Sequence, residues 1–269
     1  MSSFFHNALE EELSRVKQES FQLLTLKKDC LSRFLPLEME SPPYVILPTL
    51  VLTGALSKYK SAPEHHQQLD QPFLERAIGM ASIFQLVYLA AEVHGRIVDE
   101  DPQSENRYPF SHYFPVLIGD YIYGKLLRRL CEIGCSQRVA QLASVICDMN
   151  AGGLKRKELL EGDNRSDAST LAALELEYGS LYNEAARVGI WLSGGNDRLE
   201  EDFGRIGFAI GMSLGAAERG LGEMLVKECQ REAWKYCGRI SEGWLRESAI
   251  YLLQYAGLKT KSLRTASGQ

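Results

Sequence analysis

The chain has 269 residues, 45% of them hydrophobic, with 30 basic against 35 acidic side chains and a formal net charge of −5. That length can bury about three quarters of its unfolded surface in one large domain or two small ones. The mild acidity, with no basic helix carrying interleaved aromatics, argues against nucleic acid as a partner. No uncharged run reaches the ~18 residues of a membrane helix, and the N-terminus lacks the basic start and apolar run of a signal peptide.

In chain order, residues 4–35 place Phe5, Leu9, Leu13, Val16, Leu23, Leu24, Leu26 and Leu31 among Glu, Lys and Gln, which predicts a long amphipathic helix ended by Pro36 and Pro42-Pro43. Residues 44–56 (YVILPTLVLTGAL) predict a second, buried helix with Pro48 tolerated near its first turn. The polar stretch 57–71 reads as a loop; its His65-His66 pair has no further ligand beside it for a metal. From residue 77 to 91 there is no charge, and Ile83, Phe84, Leu86, Val87, Tyr88, Leu89 and Ala90 leave hardly any polar stripe, so a central helix is expected. It turns polar at Glu92, His94 and Arg96 and ends in Asp99, Glu100 and Asp101 before Pro102. A buried helix ending in acids invites a metal-site reading.

Residues 112–134 (HYFPVLIGDYIYGKLLRRLCEIG) form the next helical pattern, in which Gly119 allows close helix contact and Asp120 sits beside a neighbouring helix end. Lys125, Arg128 and Arg129 read as a solvated face, with phosphate contact as the sharper alternative. An amphipathic helix follows over 136–160, with Gly152-Gly153 near its end and Lys155-Arg156-Lys157 forming an exposed face with Glu158 and Glu161. After a loop at 161–169, where Asp167 or Ser169 would cap the next helix, residues 171–195 read as helical to about Leu192. In 203–218 the residues Gly207, Gly211 and Gly215 recur every fourth position, a stripe that lets another helix approach closely. Two more helical patterns are anchored by Leu225, Trp234, Ile240, Trp244, Leu245, Ile250, Leu252 and Tyr255, and a basic, polar tail at 259–269 is expected to be disordered. The six cysteines, Cys30, Cys131, Cys135, Cys147, Cys229 and Cys237, form no CxxC, so reduced and mostly buried thiols in a cytoplasmic protein are expected.

Several of these stretches resemble the trans-isoprenyl diphosphate synthases. The segment Phe114-Pro115-Val116-Leu117-Ile118-Gly119-Asp120-Tyr121-Ile122 is similar to that family's Ala-Ile-Leu-x-Gly-Asp-Tyr-Leu helix. After His94, the window Gly95-Arg96-Ile97-Val98-Asp99 stands where the family carries its first Asp-Asp-x-x-Asp, and only Asp99 matches. Leu181, Tyr182, Ala185, Ala186 and Gly189 fall in register with the segment that follows the family's Lys-Thr pair, whose positions are Glu177 and Tyr178 here. Gly204-x-x-Gly207-x-Ala209 leads to the second aspartate cluster, placing Leu214, Gly215 and Glu218 at its positions. Gly153 stands for a Gly-Glu or Gly-Gln pair, and Glu38 to Pro43 replace a basic diphosphate grip.

The resemblance implies an all-α fold, a single-domain orthogonal helical bundle of the isoprenoid synthase (terpenoid synthase) type over residues 1–258. In the family the carboxylates bind magnesium ions that hold a substrate diphosphate, and the lysine contacts that diphosphate. Gly95 has no ligand atom, Arg96 repels a cation, and Glu177 repels a diphosphate. The implied reading is therefore a chain without catalytic residues or resident metal, which forms a homodimer or a heterodimer with an active prenyl diphosphate synthase, like the noncatalytic small subunits of heteromeric synthases. A gene neighbour encoding a full synthase would favour it. Two other readings stand beside it: an active synthase using Asp99, Glu100 and Asp101 as a reduced set of magnesium ligands, and a module that keeps the apolar cavity for an isoprenoid or other lipid.

Overall fold

Apolar residues at helical spacing dominate the sequence, and the described residues answer with helices. The computed structural model describes residues 2–24, 39, 41–61, 70–95, 113–161, 167–221, 223–241 and 243–266. In these, α1 spans Ser2–Leu23, α2 Pro42–Ala55, the short α3 Ser57–Lys60, α4 Gln71–His94 and α5 Tyr113–Glu132. A 3-10 turn at Ser136–Arg138 leads into α6, Val139–Glu161. Then α7, Asp167–Leu174, passes through a π-helical turn, Glu175–Gly179, into α8, Ser180–Leu192. The chain closes with α9, Asp197–Glu218, α10, Glu223–Cys237, and α11, Trp244–Ala266.

The helices with least polar surface lie innermost. In α4 every residue from Ala77 to Ala90 is buried, and in α2 so is every residue from Ile46 to Ala55. Against these, α8 packs on α2 and α9, α5 and α1 pack on α4, and α10 and α11 cover α9. One apolar cluster runs continuously from Leu9 on α1 to Ala256 on α11. Among the described residues, α4 is the helix long and apolar enough to cross a membrane by length and composition, and 83% of the relevant window is buried inside the bundle.

Pro48 lies in the interior of α2 rather than in its first turn, because Pro42 already opens the helix. Lacking an N–H, it cannot bond the carbonyl four residues back, that of Tyr44. The side chain of Gln85 on α4 takes that place: its Nε2 donates to Tyr44 O at 2.7 Å. Three described helices end on glycines in the left-handed region, α5 at Gly134 (φ 70°), α8 at Gly194 (φ 67°) and α9 at Gly220 (φ 66°), each letting the following amide, Cys135 N, Gly195 N or Leu221 N, bond back to Leu130 O, Ile190 O or Ala216 O.

Several boundaries differ from the sequence reading. The helix expected over 4–35 ends at Leu23, and residues 25–38 lie outside the described ones, as do His65, His66, Cys30 and Arg107. Four residues of the expected polar loop, Ser57–Lys60, are helical. The central helix stops at His94, capped at Gly95, so the polar continuation with Arg96, Asp99, Glu100 and Asp101 also lies outside the described residues. α9 begins at Asp197, six residues before Phe203, because Asn196 caps it: its side chain accepts from Leu199 N at 2.8 Å. α11 continues to Ala266, past the boundary expected at Leu258; Lys259, Lys261, Leu263 and Arg264 are good helix formers, and polarity alone does not stop a helix.

Candidate functional site

The C-terminal end of α4, the start of α5, the second half of α6, the π turn and the end of α9 enclose a cavity of about 900 Å³. Its apolar wall includes Ala91, Val116, Met149, Leu154 and Leu160, and its polar wall Glu92, His94, Arg156, Lys157, Glu177, Glu218 and Arg219. Of the residues singled out by resemblance, Gly95, Gly153, Glu177, Tyr178 and Glu218 all line it, although they come from separate helices. Leu214 and Gly215 are instead packed inside: Leu214 is buried, and a Cβ on Gly215 would lie 2.7 Å from the Tyr178 ring and 2.8 Å from Leu174 Cδ1.

Glu177 is the electrostatic centre of the polar wall. Arg156 Nε on α6 donates to its Oε1 at 2.8 Å, and Arg219 Nη2, just beyond α9, donates to its Oε2 at 3.0 Å. Gly152 makes this possible: a Cβ there would sit 2.8 Å from Glu177 Cγ and 2.9 Å from Ala173 O. The sequence reading assigned Arg156 to an exposed, intrahelical charged face. The structure turns it inward onto another element, a contact that periodicity within one helix cannot reveal.

The two other cavity acids are held by tyrosine hydroxyls. Tyr44 and Tyr88 donate to Glu92, Tyr88 at 3.5 Å, and the Tyr44 and Tyr88 rings meet edge to face at 5.2 Å. Tyr178 donates to Glu218. Burial, reinforced by neighbouring acids and tyrosines, pushes the Tyr88 and Tyr178 hydroxyls well above the phenol range, so both stay protonated donors. Desolvation by the cavity wall likewise raises the Glu218 carboxyl above the usual range.

At the mouth, His94 lies against α5. A Cβ on Gly119 would stand 2.1 Å from His94 Nε2, which itself lies 3.4 Å from Val116 O and 3.5 Å from Asp120 Oδ1. The close contact at Gly119 and the place of Asp120 beside a helix end are thus both seen. The basic residues further along α5 are engaged: Arg129 binds Glu19 of α1 at 2.8 and 3.2 Å, Arg128 pairs with Glu132 at 2.7 Å, and Lys125 sits over the Tyr121 ring.

The glycine stripe of α9 is filled. Cβ atoms on Gly207 and Gly211 would lie 2.3 Å from Tyr182 O and 2.7 Å from Tyr178 O, so backbone meets backbone there. Behind it, the buried Arg138, Glu184 and Glu200 form an ion cluster with the half-exposed Arg187 at 3.2 to 3.9 Å, with Arg138 stacked on Trp191 at 4.5 Å. Burial pushes the Glu184 carboxyl up, against the pull of the two arginines. Of the cysteines, Cys135 and Cys237 are buried and Cys229 half-buried, whereas Cys131 and Cys147 are exposed; all five are free thiols.

The described positions do not fit a magnesium cage. Gly95 offers no ligand atom, Leu214 and Gly215 are enclosed, and Glu92 and Glu218 already accept tyrosine hydroxyls. Among the described residues, no three His, Cys, Asp or Glu side chains are grouped to hold a metal ion.

No protein-family model matches the sequence, and neither does any curated protein. Solved structures do match. A geranylgeranyl pyrophosphate synthetase from the archaeon Geoglobus acetivorans superposes with a TM-score of 0.72 at 17% identity, covering 95% of this chain and 99% of that one. A geranyltranstransferase from Methanosarcina mazei gives 0.68 at 15%, covering 93% and 97%. A mint heterotetrameric geranyl pyrophosphate synthase gives 0.58 at 17%, covering 90% and 98%. The chain therefore has the all-α isoprenoid synthase fold over nearly its whole length.

Proposed function

We propose that this chain is a noncatalytic polyprenyl-synthase-like protein that pairs with an active prenyl diphosphate synthase and modulates its output in isoprenoid biosynthesis. The observation that carries the reading is Glu177. An acid stands where the resembling family has a diphosphate-binding lysine, and two arginines neutralise it within the chain. A carboxylate fixed there opposes a diphosphate at the same place, and the two arginines beside it are engaged in neutralising it.

Pairing is supported by apolar side chains left uncovered on two helices. Leu117 and Leu127 on α5 and Leu154 and Leu160 on α6 are all exposed, apolar side chains of the kind a partner would cover. The mint structure, by its own description, belongs to a heterotetrameric synthase. The test is to mix the purified chain with an active prenyl diphosphate synthase from the same host and follow complex formation, turnover and product length. A stable complex with altered product length is expected, with no turnover by this chain alone. Magnesium-dependent release of diphosphate by the isolated chain would sink the reading and restore the active-synthase alternative.

The aliphatic wall of the cavity, Met149, Leu154 and Leu160, favours a second reading, a binding module for an isoprenoid or other lipid. Lipid extracted from the purified chain and identified by mass spectrometry would support it; a chain free of lipid would not.

A further inference from the structure

We propose that Arg138, Glu184, Arg187 and Glu200 form a proton-operated clasp that fastens the corner between α5 and α6 to α8 and α9, closed while Glu184 carries a proton and loosened when it is ionised. The proposal concerns the isolated chain and holds whether or not it pairs with a synthase.

Three elements meet in the clasp. Arg138 belongs to the 3-10 turn joining α5 to α6, Glu184 and Arg187 to α8, and Glu200 to the first turn of α9. Arg138 is the bridge: its Nη1 and Nη2 both donate to Glu200 Oε1 at 3.4 Å, and its Nη1 lies 3.5 Å from Glu184 Oε1. Arg187 donates to the same Glu200 oxygen at 3.2 and 3.3 Å and stays 3.9 Å from Glu184 Oε2. The donors are thus gathered on Glu200. Glu184, which keeps 9% of its surface against 7% for Glu200, has an Oε1 that accepts no hydrogen bond. A buried carboxylate without hydrogen bonds is disfavoured as the anion, so of two acids sharing the same arginines this one holds the proton. Ionised, Glu184 competes with Glu200 for Arg138 and Arg187 and weakens the bridge. Burial and the Glu200 charge favour its neutral form against the pull of Arg138 and Arg187. Among the described residues, the other elements packed on α8 bring no further charge to Glu184. The clasp is within reach of solvent: a groove of about 540 Å³ between α8 and α9 ends on Asn183 and Arg187, and Arg187, which touches both acids, keeps 42% of its side-chain surface.

The corner carries its own reporters, since Cys135 N bonds to Leu130 O and Arg138 N to Cys135 O, each at 3.0 Å. Hydrogen exchange of these amides is followed from pH 5 to pH 8 in the full chain, corrected for the intrinsic exchange rate, with the buried residues 81–90 of α4 as internal control. A proton held more tightly in the closed state favours closure at low pH. Protection should therefore fall as pH rises, by about tenfold for each unit separating the closed-state from the open-state carboxyl value, and then level off. Glu184→Gln should keep the corner protected at pH 8 as at pH 5, and Arg138→Met should leave it weakly protected at every pH. A pH-independent wild type, an equal fall in Glu184→Gln, or wild-type protection in Arg138→Met would overturn the proposal. Should Glu184→Gln fail to fold, carbon resonances of labelled glutamate carboxyls in wild type decide it: one must titrate in step with the loss of protection, and a series in which none does overturns the proposal equally.

Discussion

Gln85 Nε2 donates a hydrogen bond of 2.7 Å to the backbone oxygen of Tyr44, the carbonyl that Pro48 leaves without its helical partner. Both ends are buried, so this side chain completes the hydrogen bonding of a helix other than its own. Replacing it with leucine strands a buried carbonyl, at a cost of about 1–3 kcal/mol. Gln85→Leu should therefore melt several degrees below wild type. Because alanine at position 48 restores the missing N–H, the same change in a Pro48→Ala background should cost distinctly less, and urea denaturation of the four proteins measures the coupling. Equal costs in both backgrounds would show that the bond is incidental.

Two glycines should respond to alanine with opposite signs. At Gly54 a Cβ would meet backbone, 2.7 Å from Gly189 C and 2.8 Å from Ile190 N, so α2 and α8 would have to separate. Gly54→Ala should destabilise by about 1–3 kcal/mol or more. Around Gly124 on α5 nothing lies within 4 Å, and alanine there should stabilise the isolated chain by about 0.5–1 kcal/mol through helix propensity. Thermal melts of the two single variants decide it.

Glu184 predicts a pH dependence. Its folded-state pKa is raised by burial, so its neutral form favours the fold. That contribution is complete below the carboxyl pKa of the unfolded chain and is lost as pH rises through the raised folded value. Arg138 retains Glu200 at 3.4 Å when Glu184 is neutral. Glu184→Gln should then melt above wild type at pH 7 to 8, and the difference should close as the solution is acidified into the range where Glu184 itself is protonated. A gap that widens on acidification would reverse the assignment.

Thiol chemistry follows burial. The Cys229 and Cys237 thiols are pushed up to about 11, mainly by desolvation, while Cys131 and Cys147 face solvent. Brief iodoacetamide treatment at pH 8 should modify Cys131 and Cys147 first and spare Cys237 until the chain is denatured, as peptide mass mapping would report.

The fold was legible because its evidence is periodic and local. The uncharged run 77–91 lies within a buried α4, and the spacing Gly207, Gly211, Gly215 marks a close contact of α9 with Tyr178 and Tyr182. The gathering of residues 95, 153, 177 and 218 around one cavity was reachable only through the family's spacing, since nothing in composition says which helices meet. What stayed hidden were partnerships between elements. Arg156 matched an exposed face equally well by its own helix, Arg219 carried no pattern at all, and the Tyr44 and Glu92 contact joins residues 48 positions apart. Pro48 was visible as a residue, but its consequence needed the position of Gln85.

The wide turn at Glu175–Gly179 separates two faces that one straight rod would have to share. In ordinary winding each residue advances about 100° around the axis, so one surplus residue resets the azimuth of everything after it. α7 can thus address α6 while α8 addresses α2 and α9. Deleting a single residue in this turn would leave both flanking sequences intact yet aim one of them at the wrong neighbour: the five residues work as a phase shifter between two halves of the bundle.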